Sequence, residues 1–387
     1  MPSRTPRLGY GRRTMARLRQ YFERLIEPAD IRIDGDRPWD VRVHDERLFR
    51  RVLGSGTLGL GEAYMDGWWD CDAIDQMVDR AHRSQIAQRL ASPTAVLRVA
   101  EAKLLNLQRG KRAFEVGERH YDIGNDLYAA MLDSQMIYSC GYWRHADDLE
   151  SAQRAKLELV RNKLSIEPGM RVLDIGCGWG GAARYLAEQA GCEVVGLTVS
   201  VEQAKLARQR CADLPIEIRV QDYREIDEKF DRVYSIGMFE HVGDRNYGTY
   251  MKTVRRCLSE PDGLTLLHTI GGNKSSNRTD PWMDRYIFPN SVLPSTGQIA
   301  KAAEGELTLE DWHNFGPDYD HTLMAWHSNV TARWDELALA YDDRFRRMWD
   351  FYLLVSAGGF RARYLQLWQA VFSRDGLPEV YNPAGIR

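Results

Sequence analysis

The run Arg171-Val-Leu-Asp-Ile175 leading into Gly176-Cys-Gly178-Trp-Gly180 constrains the fold of this chain more than any other feature. A short apolar strand that empties into three alternate glycines demands a tight backbone turn before the helical pattern of Gly180 to Gln189, which Gly191 closes. The same texture continues downstream. Glu193 to Leu197 reads as a strand, Ser200 with Gln203 as a capping box for a helix from Val201 to Leu214, and Ile216–Val220, Phe230–Ile236 and Gly263–Thr269 as further strands. Strands alternating with helices make a parallel sheet covered on both faces. The expected architecture is α/β and doubly wound, with helical insertions from Asn273 to Gly305 and aromatic-rich helices from Thr322 to Phe372.

Upstream the pattern differs. Residues 48 to 80 carry helical spacing (Leu48, Val52, Leu53; Ile74, Met77, Val78), interrupted by the glycine-rich stretch from Gly54 to Gly61 and the pair Trp68-Trp69. A small α-rich N-terminal domain is predicted. Residues 81 to 115 are polar and basic, with Pro93 and Gly110 as breakers, and form a connecting segment. The expected division is therefore 1–110 and 111–387, in keeping with a 387-residue chain at roughly 150 residues per domain.

The net charge of −3 argues against a nucleic-acid substrate. Charge is nevertheless concentrated at one end: arginines 4, 7, 12, 13, 17, 19 and 24 face a single acid, Glu23, within the first 24 residues. Such a segment is a solvated face or a contact for an anionic membrane surface, where each basic residue is worth about 1 kcal/mol. Cysteines 71, 140, 177, 192, 211 and 257 form no CxxC pair, so neither a disulfide framework nor a metal site is expected, and a reducing cytoplasm is. No apolar run approaches the roughly 20 residues that span a bilayer, so membrane contact is expected to be peripheral, at the inner face.

The glycine loop marks a cofactor site at the switch point of the sheet. Dinucleotide enzymes use a similar turn, but Asp174 inside the motif and the lack of a third glycine spaced for a pyrophosphate favour a different ligand. Asp174-Ile-Gly-Cys-Gly178 resembles the first motif of the seven-stranded, Rossmann-like S-adenosylmethionine methyltransferases. There an acid usually ends the second strand and holds the ribose; here Gly196-Leu-Thr198-Val-Ser200 occupies that place, and Thr198 with Gln203 offers neutral hydrogen bonds instead.

That substitution resembles the cyclopropane fatty acid synthase family, which includes the mycolic acid cyclopropane synthases. The resemblance covers nearly the whole chain: Gly59 to Trp69, His120 to Asp126, Tyr138 to Trp143, Gly237 to Gly243, His268 to Gly271 and Asp318-Tyr-Asp320. Length and the separate N-terminal region look more like the bacterial phospholipid enzymes than the shorter mycolate enzymes. The resemblance implies S-adenosylmethionine contacts at Tyr138, Ser139, Asp174, Gly176, Gly178, Gly180, Thr198, Gln203, Asp222 and Tyr223. It also implies a bound bicarbonate held by Glu240, His268 and Tyr319 with the backbone amides of Cys140 and Ile270, an unsaturated phospholipid as substrate, and a homodimer.

These residue types suit the chemistry. An alkene is a poor nucleophile and must meet the sulfonium methyl in line, an orientation worth roughly 7–11 kcal/mol of barrier. Ring closure then needs a positioned base, and a carboxylate, an imidazole N–H and a phenol O–H can hold an anion without a metal. Tyr138, Phe239 and Trp282 are loose candidates for stabilising the cation. Taken alone, His268 could be a satisfied core histidine and Cys140 a nucleophile, although a methyl donor makes a covalent thiol intermediate unnecessary. Competing readings are a lipid methyltransferase that gives methyl-branched or methylene products, a small-molecule amine N-methyltransferase, and a lipid-binding protein without catalysis.

Overall fold

The computed structural model describes residues 8–86 and 124–383, with side chains from residue 15 onward. Arg4, Arg7, the side chains of Arg12 and Arg13, most of the 81–115 connector, the 110/111 boundary and residues 120–123 fall outside the described residues. The chain divides into two compact units that interleave in sequence. One comprises residues 1–124, 280–289 and 332–362, and the other 125–279, 290–331 and 363–387.

The first unit is α-rich. Helices Leu8–Ile26, Arg47–Met65 and Ile74–Arg83 are joined by Pro281–Tyr286 and Asp343–Arg361 from much later in the chain, with a short antiparallel ribbon pairing Arg42–Val43 with Trp69–Asp70. The glycine-rich stretch interrupts the helical pattern at a single residue. It runs within Arg47–Met65, broken only at Gly56, whose φ of 60° and ψ of −134° are non-helical. Gly61 serves close packing: a Cβ there would sit 2.4 Å from the Trp282 ring, which in turn meets Phe351 edge-on at 4.8 Å.

The second unit is built on a seven-stranded sheet. Its strands are β1 (Arg171–Ile175), β2 (Glu193–Thr198), β3 (Ile216–Val220), β4 (Arg232–Ile236), β5 (Leu264–Gly272), β6 (Thr308–Asn314) and β7 (Leu365–Ser373). Their order is β3-β2-β1-β4-β5-β7-β6, with β1 to β5 parallel and β7 antiparallel to both its neighbours. Successive residues of a strand enter opposite cores. Leu173 and Ile175 join Val195, Phe239 and Met251 on one side, while Val172 joins Leu186, Val194 and Leu266 on the other. Each such Val or Leu removed from water contributes roughly 1.5–3 kcal/mol.

Two sequence expectations need correction here. The aromatic stretch to Phe372 is not helical throughout: the helix Asp343–Arg361 ends before β7, a strand buried at every position after Leu365. A strand wedged between two others with both faces covered loses the polar alternation that would have announced it. The capping box at Ser200 is only half made. Ser200 Oγ accepts from Gln203 N, but the Gln203 side chain turns to Thr198.

Candidate functional site

In an open α/β sheet a ligand crevice forms where strand order reverses, at the carboxyl ends of the strands. Here that point lies between β1 and β4. The loop after β1 passes through Gly176, Gly178 and Gly180 at φ 94°, 53° and 81°, values that a side chain rarely tolerates. The amides of Gly176 and Cys177 both donate to the Leu197 carbonyl at 2.9 Å, which ties the loop to β2. A Cβ at Gly176 would crowd Met238 at 2.8 Å, whereas one at Gly178 would meet nothing within 4 Å. Gly178 thus keeps a bare stretch of backbone open to a ligand.

At the end of β2 the Thr198 hydroxyl donates to Gln203 Oε1 at 3.1 Å and accepts the Ser200 amide at 3.1 Å. The neutral pair is therefore held together by the protein itself. Asp222, after β3, accepts the Arg224 amide at 2.9 Å and its guanidinium at 2.6 and 2.9 Å, and this partner keeps its carboxyl below the ordinary range. Tyr223 packs on Tyr250 with ring centres 5.6 Å apart.

Asp174 lies beneath the loop rather than in it. Its Oδ2 accepts the Tyr234 hydroxyl at 2.8 Å, and burial pushes its pKa up to about 7. Lys156, buried and pushed down to about 8 by that burial, donates to Ser139 Oγ at 3.0 Å. Gln153 Nε2 donates to the Ser139 carbonyl at 2.7 Å. The Tyr138 ring stands between those of Tyr128 and Trp326, each 5.2 Å away. Tyr128 in turn lies 4.8 Å from Trp179 of the glycine loop. Tyr138 is thereby linked through Tyr128 to the glycine loop.

The second cluster centres on Glu240 and His268. Glu240 sits in the turn Phe239–His241 after β4 and is 5% exposed; its Oε1 accepts the Ile270 amide at 2.6 Å, and burial raises its carboxyl to about 7. The Ile270 amide, expected to face an anion, is thus committed to holding Glu240. His268, in β5 and 1% exposed, meets Gln369 Nε2 through Nδ1 at 3.3 Å. Glu240 Oε2 and His268 Nε2 have no hydrogen-bond partner among the described residues.

Cys140 and Tyr319 are brought to the same region by other contacts. Gly141 N donates to Thr322 Oγ1 at 3.0 Å and Trp143 N to Asp318 Oδ2 at 2.7 Å, which laces the Cys140 turn to the helix Pro317–Ala332 that carries Tyr319. Phe315 joins the two groups, its ring 5.7 Å from His268 and 5.4 Å from Tyr142. The Cys140 thiol is buried with its pKa pushed well above the ordinary value, so it is not a thiolate nucleophile at neutral pH. Phe239 stacks on Tyr247 at 4.2 Å, and Trp282 belongs to the first compact unit.

Lys156, Gln153, Tyr234 and Gln369 are absent from the sequence-derived set. A signal existed for the first two: both fall on the buried stripe of helix Leu149–Lys163 with Leu149, Ala152 and Val160, where polar side chains are out of place.

Residues 108–370 match the family model described as mycolic acid cyclopropane synthetase. The chain belongs to this family. It is 53% identical over 351 residues, 90% of this chain and 92% of the relative, to the cyclopropane-fatty-acyl-phospholipid synthase of Escherichia coli K12. It is 32% identical, over 86% of this chain and 82% of the relative, to the tuberculostearic acid methyltransferase UfaA1 of Mycobacterium tuberculosis. Among solved structures, the mycolic acid cyclopropane synthase CmaA1 complexed with SAH and CTAB superimposes with a TM-score of 0.61 at 30% identity, covering 67% of this chain and 98% of that one. A coclaurine N-methyltransferase, at 21% identity and a TM-score of 0.63, shares the fold.

Proposed function

We propose that this chain transfers the methyl group of S-adenosylmethionine to the cis double bond of an unsaturated phospholipid acyl chain and closes a cyclopropane ring, with bound bicarbonate as base. The observation that carries this reading is the 53% identity to the Escherichia coli synthase over 90% of the chain, which spans both compact units. The paired unpartnered atoms of Glu240 and His268 support the bicarbonate part, because buried polar atoms ordinarily find partners.

The alkene π electrons attack the sulfonium methyl, the S–CH3 bond breaks, and a cation is left on the acyl chain. A proton then leaves the new methyl group, and its bonding electrons close the ring. Bicarbonate, when bound, supplies the base for that proton. Glu240, fixed through Ile270, and the Tyr319 hydroxyl orient the anion, and the imidazole N–H of His268 with the Cys140 backbone amide donates to it. The glycine loop, Tyr138, Ser139, Thr198 and Gln203 hold the methyl donor, with Asp174 supporting the loop from below and Asp222 and Tyr223 taking the adenine.

Residues 1–110 are assigned to membrane contact and 111–387 to catalysis, in a homodimer lying peripherally on the inner membrane face. Among the described residues no helix is long and apolar enough to cross a membrane. Binding to anionic vesicles should fall as salt rises, and deletion of the first 24 residues should weaken it.

The similarity to UfaA1 favours a second reading, a methyl-branched product from the same first step. Incubation with S-adenosylmethionine and monounsaturated phospholipid vesicles separates the two. Cyclopropanation adds one CH2 and replaces vinyl protons by upfield ring protons; a branched product lacks the ring protons, and unchanged lipid overturns both readings.

A further inference from the structure

Gln369 stands directly opposite His268 in the antiparallel β5–β7 pairing, and both side chains are buried, at 0% and 1% exposure. Its amide nitrogen lies 3.3 Å from His268 Nδ1. An amide NH2 only donates, so Nδ1 accepts, and a neutral imidazole whose Nδ1 accepts carries its hydrogen on Nε2. The ring is neutral because burial, reinforced by the positive charges of Lys156 and Lys163, holds its pKa well below the ordinary value. That Nε2 has no partner among the described residues, and neither does Glu240 Oε2, whose carboxyl is anchored on the backbone amide of Ile270, two positions along β5 from His268.

We propose that Gln369 is a positioning residue that fixes His268 as its Nε2–H tautomer, so that the ring offers a donor to an oxyanion shared with Glu240. The reverse orientation of the amide would place an oxygen on Nδ1 and leave Nε2 an acceptor. An accepting nitrogen beside a carboxyl would repel an anion rather than bind it. The functional half of this proposal rests on the reading of His268 as a ligand of bicarbonate; the tautomer does not.

Nitrogen-15 histidine NMR on the full chain tests the tautomer, with His268 assigned by the signals lost in His268→Asn. The expected spectrum shows a protonated Nε2 and a bare Nδ1. Gln369→Glu presents an acceptor to Nδ1 and should move the hydrogen there, cutting kcat by roughly 10²-fold, the low end of what positioned proton chemistry is worth, with KM for S-adenosylmethionine little changed. Gln369→Met removes the donor without adding charge, so it should give mixed tautomers and a smaller loss of kcat, and it keeps the test alive should the glutamate variant not fold. A side chain that merely packs would move neither the tautomer nor kcat independently of KM. A native His268 with its hydrogen on Nδ1 overturns the proposal, as does near-native kcat in a Gln369→Glu protein whose spectrum shows the hydrogen moved. Full turnover in His268→Asn overturns the ligand reading and the functional half with it, while the spectrum alone still decides the tautomer.

Discussion

Asp174, in β1, and Glu240, in the turn that follows the neighbouring strand β4, are both buried carboxyls, and burial pushes each up to about 7, yet their surroundings differ. Tyr234 closes on Asp174 at 2.8 Å, and beside it Lys156 and Ser139 satisfy one another at 3.0 Å. Glu240 has one oxygen tied to Ile270 and the other without a partner among the described residues. Desolvation is the leading cause of both shifts, so a raised carboxyl pKa does not by itself distinguish support from chemistry. The leftover atom does, because leaving a buried acceptor unpaired costs roughly 1–3 kcal/mol unless a ligand takes the place.

The contrast predicts its largest effect at Glu240. Glu240→Gln keeps the size and loses the carboxylate, so steady-state methyl transfer should fall by roughly 10²- to 10⁴-fold while calorimetry finds S-adenosylmethionine affinity near normal. Near-native turnover would erase the distinction between the two carboxyls. Tyr234→Phe should do the converse, stranding Asp174 and lowering stability to urea by roughly 1–3 kcal/mol, with turnover of the folded fraction little changed.

A pH series sharpens the same comparison. Folding raises both carboxyls from ordinary values of 3.8 and 4.5 to about 7, so the stability each contributes is present at low pH and is lost as pH climbs through about 7. The urea midpoint should therefore decline across that window. Asp174→Asn and Glu240→Gln should each flatten the decline, and an undiminished slope in both variants would show that these groups are not the ones titrating. The smallest effect belongs to Cys140→Ser. With the thiol un-ionised and only its backbone amide assigned a role, turnover should drop by less than about tenfold, or roughly 1.4 kcal/mol of barrier.

The doubly wound core is legible in the sequence because its signals are local: glycines where φ must be positive, short apolar strands, and a serine cap. Glu240 can be singled out because it follows an apolar strand at the ligand edge of the sheet, and His268 because the apolar run from Leu264 to Leu267 leads into it, although β5 continues past it to Gly272. What escapes is set by partners distant in sequence. Gln369 lies in β7, which reads as helix because nothing in its own nine residues shows that two strands flank it. Tyr234 looks like one more core aromatic until Asp174 is placed against it, 60 residues away. The Ile270 amide can be named but not its use, since the approach of the Glu240 turn to β5 is a tertiary fact.

The six cysteines are all buried and unpaired, and burial raises the pKa of every one. A thiol reagent attacks only thiolate that solvent can reach, so in the native protein each sulfur is silent until its surroundings open. Cys71 lies in the first compact unit and the other five in the second. The chain thus carries a built-in set of chemical clocks: the alkylation rate of Cys71 times the opening of one unit, and the rates of the remaining five time the opening of the other, residue by residue, with no label introduced.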